Sequence, residues 1–128
     1  MMKAYISAPI PFLDDAQRIG LFLVHPDIEV VSSWHDGREI GYCRTDDDLG
    51  KDASKDLREM EESDVLVMLS REGSGGGMAG ELAIALFRCI PVFAIGEKLS
   101  IWSYHPWIKW FETEDELVEA VNNHASKW

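Results

Sequence analysis

The stretch that decides the fold runs from Asp64 to Ile95 and reads DVLVMLSREGSGGGMAGELAIALFRCIPVFAI. Its first part, Asp64–Leu69, is nearly all apolar, which is typical of a strand in a parallel sheet that helices cover on both faces. A glycine-rich turn over Ser70–Gly77 leads into a helix with almost no charge over Met78–Arg88. A second buried strand follows at Pro91–Ile95. The stretch therefore predicts a strand–turn–helix–strand unit of an α/β domain.

The same alternation of strand and helix continues to both ends of the chain. The further elements that the pattern predicts are strands at Lys3–Ala8, Ile28–Trp34 and Trp107–Phe111, and helices over residues 12–24, Lys51–Glu62 and Thr113–His124. Five strands alternating with helices favour one α/β domain over residues 1–128. We expect a flavodoxin-like, Rossmann-like three-layer sandwich with a five-stranded parallel sheet in the order 2-1-3-4-5.

Three local details accompany this prediction. Thr113 with Glu116 three residues later has the spacing of a capping box at the start of the last helix. Ala53, Leu57 and Met60 form the apolar stripe expected on the Lys51–Glu62 helix. The run Asp46-Asp47-Asp48 lacks the spacing of a calcium loop, so we interpret it as part of a solvated loop.

Composition limits the classes of partner. The 128 residues include 12 Lys and Arg against 23 Asp and Glu, which gives a formal net charge of −11 at pH 7. Binding of nucleic-acid polymers or anionic membranes requires basic side chains, so this balance argues against both partners, but not against a small nucleotide in a local pocket. The sequence has neither a run of 18 apolar residues nor a signal-peptide pattern, and Cys43 and Cys89 lack a CxxC spacing. We therefore expect a cytoplasmic protein with reduced thiols.

In a sheet of this order, the ligand crevice lies beyond the carboxyl ends of the strands, where strands 1 and 3 meet. Three segments should line it: the loop Ser7–Phe12, the head of the Lys51–Glu62 helix, and the glycine-rich turn with the start of the following helix. Glu81 is the one acidic residue between Glu72 and Glu97, and it falls in the first turns of that helix. The spacing leaves two interpretations open, a carboxylate aimed into the crevice or, with Arg88 seven residues later, a solvated stripe.

Other candidates near the crevice have equally ordinary alternatives. The glycines around Ser74 could let backbone amides approach a ligand, or could form a plain turn. Asp56 could belong to a solvated helix face with Asp52 and Glu59. Tyr5 and Trp34 could be core residues, although an aromatic side chain at the end of strand 2 could stack on a base.

Taken together, these residues resemble the nucleoside 2-deoxyribosyltransferase superfamily. The resemblance spans most of the chain, and its specific part is the block Gly80-Glu81-Leu82-Ala83 after Gly76-Gly77. The opening strand Ala4–Pro9, the stretch from Asp56-Leu57 to Ser63-Asp64, and Pro91-Val92 are weaker matches. Ala83 stands where the family often has Gly. The loop Pro9–Phe12 lacks the Arg and paired glycines of the branch that cleaves 5′-monophosphates.

The resemblance implies a function and roles for particular residues. Members of this superfamily cleave the N-glycosidic bond of deoxynucleosides or nucleoside 5′-monophosphates and pass the sugar to another base or to water. Glu81 matches the nucleophile, Asp56 the aspartate near base and sugar, and Tyr5 the tyrosine that orients the nucleophile. The candidate substrate-binding residues are Ser7, Ala8, Pro9, Trp34, Ser74, Gly75, Gly76, Gly77 and Met78, with Ser74 near the 5′ end of the substrate.

The implied chemistry is that of two carboxylates, as in retaining glycosidases, and it needs no metal and no cofactor. The expected partner is a small nucleoside or nucleotide. The family often completes its pocket across a dimer interface, so a homodimer or larger homo-oligomer is implied. Two alternatives stay open: a non-catalytic nucleotide-binding or sensing module on the same fold, and a glutamate-dependent enzyme that cleaves NAD-like dinucleotides.

Overall fold

The protein is described by a computed structural model that covers residues 1–23, 26–36, 45–73 and 77–128. Five strands alternate with four helices in these ranges. The strands are β1 (Met2–Ser7), β2 (Ile28–Val30), β3 (Val65–Ser70), β4 (Val92–Gly96) and β5 (Ile108–Phe111). The helices are α1 (Leu13–Phe22), α2 (Asp46–Glu62), α3 (Gly77–Phe87) and α4 (Glu114–Ser126). The predicted elements are therefore confirmed in type and order.

The strands form one parallel sheet in the order β2-β1-β3-β4-β5, as the sequence predicts. All six residues of β3 are buried, which is the cause of its unbroken apolar sequence. Helices α1 and α4 contact each other, and α2 contacts α3, so the sheet lies between two helical layers. This arrangement brings the carboxyl ends of β1 and β3 together at the centre of one sheet edge.

Strand β2 is shorter than predicted, ending at Val30 and not at Trp34. Farther along β1, at Ile6, side chains of the segment after β2 take the place of the backbone hydrogen bonds of a strand pair. The Ser32 hydroxyl accepts a hydrogen bond from the Ile6 amide at 2.9 Å, and the Trp34 indole N–H donates to the Ile6 carbonyl at 2.7 Å. Since both backbone groups of Ile6 are satisfied in this way, the chain turns at Trp34–Asp36 without exposing that edge.

Helix α2 begins earlier than predicted, and the run Asp46-Asp47-Asp48 forms its first turn, so the prediction of a loop there was wrong. Thr45 accepts a hydrogen bond from the Asp48 amide, and the Asp48 side chain accepts one from the Thr45 amide. This reciprocal cap and the favourable position of acids at a helix N-terminus explain the early start. The predicted apolar stripe holds only in part, because Met60 is buried whereas Ala53 and Leu57 are exposed.

The last helix begins as expected, since the Thr113 hydroxyl accepts a hydrogen bond from the Glu116 amide at 3.2 Å. Among the described helices, none combines the length and the apolar character that a membrane crossing requires.

Candidate active site

Glu81 lies in the second turn of α3, and its side chain points toward the sheet. The hydroxyl of Ser7, the last residue of β1, donates a hydrogen bond to Glu81 Oε1 at 3.1 Å, and Ser7 itself is fully buried. The other carboxylate oxygen, Oε2, is buried and has no hydrogen-bond partner among the described residues. Buried polar atoms are nearly always satisfied, so this carboxylate oxygen is an unusual feature of the site.

Arg88, seven residues after Glu81, does not extend a solvated stripe with it. The guanidinium of Arg88 donates hydrogen bonds to the carbonyls of Met60 at 2.6 Å and Ser63 at 3.0 Å, at the carboxyl end of α2. Glu81 of α3 and Arg88, which directly follows the helix, are therefore both directed at neighbouring elements. Of the two interpretations that the spacing left open, the structure has the carboxylate aimed inward.

The environment of Glu81 favours its neutral form. Burial raises the pKa of Glu81 to about 7, and the negative charges of Asp56 and Glu59 act in the same direction. Hydrogen bonding from Tyr5 and Ser7 opposes the rise, because both groups donate to the ionised carboxylate. Glu81 therefore titrates near neutrality, where a small change in its surroundings decides whether it is charged.

Tyr5 lies in the middle of β1 with 1% of its surface exposed. Burial and the neighbouring Glu81 carboxylate raise the pKa of its phenol far above the ordinary value. The phenol therefore stays protonated and acts as a donor toward Glu81. The orienting role that the resemblance implies for Tyr5 stays a prediction.

Asp56 lies in the middle of α2 and is half-buried. Its Oδ1 atom is buried and without a hydrogen-bond partner in the described part of the chain. Burial raises the pKa of Asp56 to about 6; Lys55 counteracts the rise, and Glu59 and Asp52 add to it. Asp56 is near enough to influence the titration of both Tyr5 and Glu81, so the three sequence-predicted catalytic residues lie in one place.

Eight of the nine substrate-binding candidates divide into three groups. Ser7 contacts Glu81 directly, and Ala8 and Pro9 continue from it, with the Pro9 carbonyl accepting the Phe12 amide at 2.9 Å to turn the chain. Gly77 begins α3 and Met78 is buried beneath it. Ser74, Gly75 and Gly76 lie outside the described residues. The two loops nevertheless meet, since a Cβ on Gly73 would touch the Pro11 ring at 3.7 Å.

Trp34 is 9% exposed, with its indole N–H bound to the Ile6 carbonyl. Its edge contacts the ring of His35, whose Nε2 atom lies 2.9 Å from the Ser32 hydroxyl. The indole therefore packs mainly against β1, and its predicted stacking on a base stays a prediction.

Sequence reasoning missed Glu59 as a member of this site and assigned it to solvated surface. Its carboxylate accepts hydrogen bonds from the Ser33 amide at 2.9 Å and from the Ser33 hydroxyl at 2.8 and 3.0 Å. The available signal was its position three residues after Asp56, on the same face of α2.

The residues that the structure describes contain no group of three or more His, Cys, Asp or Glu side chains placed to hold a metal ion. The chemistry available at this position is that of two perturbed carboxyl groups with hydroxyl donors.

Fold and site together define a class: a doubly wound parallel α/β domain with two carboxyl groups, each with one buried oxygen, near the β1/β3 switch point. Among the solved structures that match it is a 2-deoxyribosyltransferase from the psychrotolerant bacterium Bacillus psychrosaccharolyticus, described as a biocatalyst for the synthesis of nucleosides. The TM-score is 0.67, the match covers 94% of this chain and 90% of that chain, and the identity is 16%. The fold that the resemblance implies is thereby confirmed. No protein-family model and no curated protein matches the sequence.

Proposed function

We propose that this protein cleaves the N-glycosidic bond of a deoxynucleoside or nucleoside 5′-monophosphate and passes the deoxyribosyl group to another base or to water. Glu81 is the nucleophile. The observation that carries the proposal is the Glu81 carboxylate, which is buried at the switch point, bound by Ser7 through Oε1, and unpartnered at Oε2 among the described residues. The shared fold with a 2-deoxyribosyltransferase supports the same reaction class.

In the first half-reaction, Oε2 of Glu81 bonds to C1′ of the sugar as the bond from C1′ to the base nitrogen breaks. Positive charge develops at C1′ in the transition state, and the adjacent carboxylate stabilises it. The electron pair of the broken bond remains with the base, which takes a proton from Asp56. The products are a glycosyl ester on Glu81, a neutral base and an ionised Asp56.

In the second half-reaction, a nitrogen of an incoming base, or a water oxygen, attacks C1′ and displaces Glu81. Asp56 accepts the proton that the attacking group loses. Glu81 leaves as a carboxylate, which the donors Ser7 and Tyr5 stabilise. Both carboxyl groups thus return to their starting states.

These roles require Glu81 ionised and Asp56 protonated, whereas the pKa values of the ligand-free site, about 7 and about 6, stand in the opposite order. Binding of a substrate reverses this order of the two pKa values. A sugar hydroxyl that donates to Glu81 lowers its pKa, and a base that covers Asp56 removes water and raises the pKa of that carboxyl group. The chemistry therefore depends on the substrate itself filling the crevice.

The test is incubation with a panel of deoxynucleosides and their 5′-monophosphates, with and without acceptor bases, followed by chromatography of released and exchanged bases. We expect base release that Glu81→Gln reduces by at least about a thousandfold. Glu119→Gln, an exposed change of equal charge on α4, is the matched control and should retain full activity.

The same panel separates the alternatives. Release of nicotinamide from NAD with no reaction of deoxynucleosides would assign the protein to the NAD-cleaving alternative. Tight binding of a nucleotide in calorimetry without any base release would assign it to the non-catalytic alternative. Base release that Glu81→Gln leaves unchanged would contradict the proposed nucleophile.

We also propose a homodimer or larger homo-oligomer. The segment after β4 exposes several large apolar side chains close together, which is unusual for the surface of a monomeric protein. They are Leu99, Ile101, Trp102, Tyr104 and Trp107. Light scattering should give a multiple of 14.5 kDa, and a monomer at micromolar concentration would contradict this proposal. The cytoplasmic location stays a prediction; Cys89 is a free, exposed thiol, and Cys43 lies outside the described residues.

A further inference from the structure

Glu59 joins helix α2 to the segment that follows β2. Both of its carboxylate oxygens accept hydrogen bonds from Ser33, one through the backbone amide and both through the hydroxyl. Hydrogen bonds to a charged acceptor are stronger than those between neutral groups. Two of the three bonds come from the hydroxyl of Ser33, a short side chain with little conformational freedom. The contact therefore fixes α2 to this segment at one point, three residues after Asp56.

The segment itself is fastened to β1. Its neighbours on either side of Ser33 bind both backbone groups of Ile6, Ser32 through its hydroxyl and Trp34 through its indole. Gln17 of α1 donates to the His35 carbonyl at 2.8 Å. Ile6 lies between Ser7, which donates a hydrogen bond to Glu81, and Tyr5, which influences the pKa of Glu81. A chain of contacts thus runs from α2 through Ser33 to the strand that orients the nucleophile.

Glu59 also brings a charge into the site. Its carboxylate acts electrostatically on Tyr5 of β1, Asp56 of α2, Glu81 of α3 and His35 of the segment after β2. The other charged groups facing these residues are Lys55 and Asp52, beside Asp56, and Asp36, beside His35. Glu59 is the group common to all four, and at each of them its influence is smaller than that of burial.

We propose that Glu59 is a positioning residue of the Glu81 site, which fastens α2 to β1 through Ser33 and its neighbours Ser32 and Trp34, and places a negative charge on the face of α2 that bears Asp56. The inference rests on the proposed function for its catalytic part. It makes two separable claims, one on geometry and one on charge, and one substitution addresses each. Ser33→Ala removes two of the three hydrogen bonds and keeps the charge. Glu59→Gln removes the charge and keeps an acceptor for the Ser33 amide.

The charge claim is tested by carboxyl-carbon NMR titration of Glu81 and Asp56. In Glu59→Gln the pKa of both groups should fall, because a like charge that favoured their neutral forms has gone. Glu62→Gln, an exposed change at the end of the same helix, should leave both titrations where they are in the wild type. Equal titrations in Glu59→Gln and Glu62→Gln would overturn the charge claim.

The geometry claim is tested by hydrogen exchange of the Ser33 amide and by kinetics. Glu59→Ala should speed that exchange, whereas Glu62→Ala should not. Ser33→Ala should lower kcat about tenfold or more with KM changed less, because a small displacement of a reacting group acts on the chemical step. Unchanged exchange in Glu59→Ala, or full kcat in Ser33→Ala, would overturn the claim.

The exchange and NMR readouts require no activity. If the wild-type protein releases no base, the proposed function fails while both measurements still decide whether Glu59 positions and charges this site.

Discussion

The two faces of the sheet treat their acidic residues differently. On the α1/α4 face, Arg18 pairs with Asp15 at 2.6 Å and binds Glu114 Oε2 at 3.0 Å, all partly exposed to solvent. On the α2/α3 face, Glu81 and Asp56 each bury an oxygen that has no partner among the described residues. An exposed ion pair contributes little to stability, and a buried unpaired carboxylate reduces it. The first face therefore leaves its acids paired or in water, whereas the second retains a destabilising feature of the kind that the proposed catalytic role requires.

The largest effect should come from Asp56→Asn, which removes the proposed acid. We expect kcat/KM to fall by about 10²–10⁴, since general acid catalysis contributes that much. The fall in activity of the wild type as pH rises through the titration of Asp56 should disappear in the variant. Steady-state kinetics from pH 5 to 9 on a deoxynucleoside measures both. Asp47→Asn, an exposed change on the same helix, is the control, and equal rates in both variants would remove Asp56 from the mechanism.

The next effect is smaller and concerns stability: Glu81→Gln should increase the free energy of unfolding. Burial raises the pKa of Glu81 from 4.5 to about 7, so the folded protein binds this proton more tightly than the unfolded chain. The free energy of unfolding of the wild type should therefore decrease as pH rises from about 4.5 to about 7. Gln carries no such penalty, and we expect the variant to be more stable at pH 8 by about 1–3 kcal/mol.

Urea unfolding of both proteins at pH 4.5 and pH 8 measures this difference, which should be largest at the higher pH. Glu119→Gln serves again as the change of equal charge. A Glu81→Gln variant less stable than the wild type at pH 8 would show that the carboxylate is satisfied after all, and the contrast between the two faces would be lost.

The smallest effect should come from Arg18→Gln on the opposite face. The change removes the ion pairs that Arg18 forms with Asp15 and Glu114. All three of these side chains are already in contact with water. We expect a slightly lower Tm and an unchanged kcat, measured by calorimetry and by the base-release assay. A large loss of kcat would mean that the α1/α4 face also serves the site.

Much of this structure was predictable because the strongest patterns come from burial. The apolar run of β3 follows from burial of the strand on both faces, and the alternation of strands and helices around it indicates the sheet order. Helix α3 is mostly apolar because Met78, Leu82, Ala85 and Leu86 are buried, although Phe87 at its end is exposed. Glu81 could be singled out for the same reason, since a lone acid in an apolar helix needs an explanation.

The remaining features depend on contacts between residues distant in sequence. Strand β2 stops early because Ser32 and Trp34 bind Ile6 with their side chains, and β-branched residues alone do not reveal this. Glu59 resembles any exposed acid of an acidic helix until Ser33 is brought against it by the fold. Local periodicity carries no information on such pairs.

One contact has a wider consequence. Arg88 donates hydrogen bonds to the carbonyls of Met60 and Ser63, so the helix that bears the proposed nucleophile and the helix that bears the proposed acid are connected at the end remote from the proposed crevice. Glu81 and Asp56 both lie nearer the N-termini of these helices than this connection does. The distance between the two carboxyl groups therefore depends in part on Arg88, about two helical turns from Glu81. A substitution at Arg88 would alter this distance without changing any group that is proposed to meet the substrate.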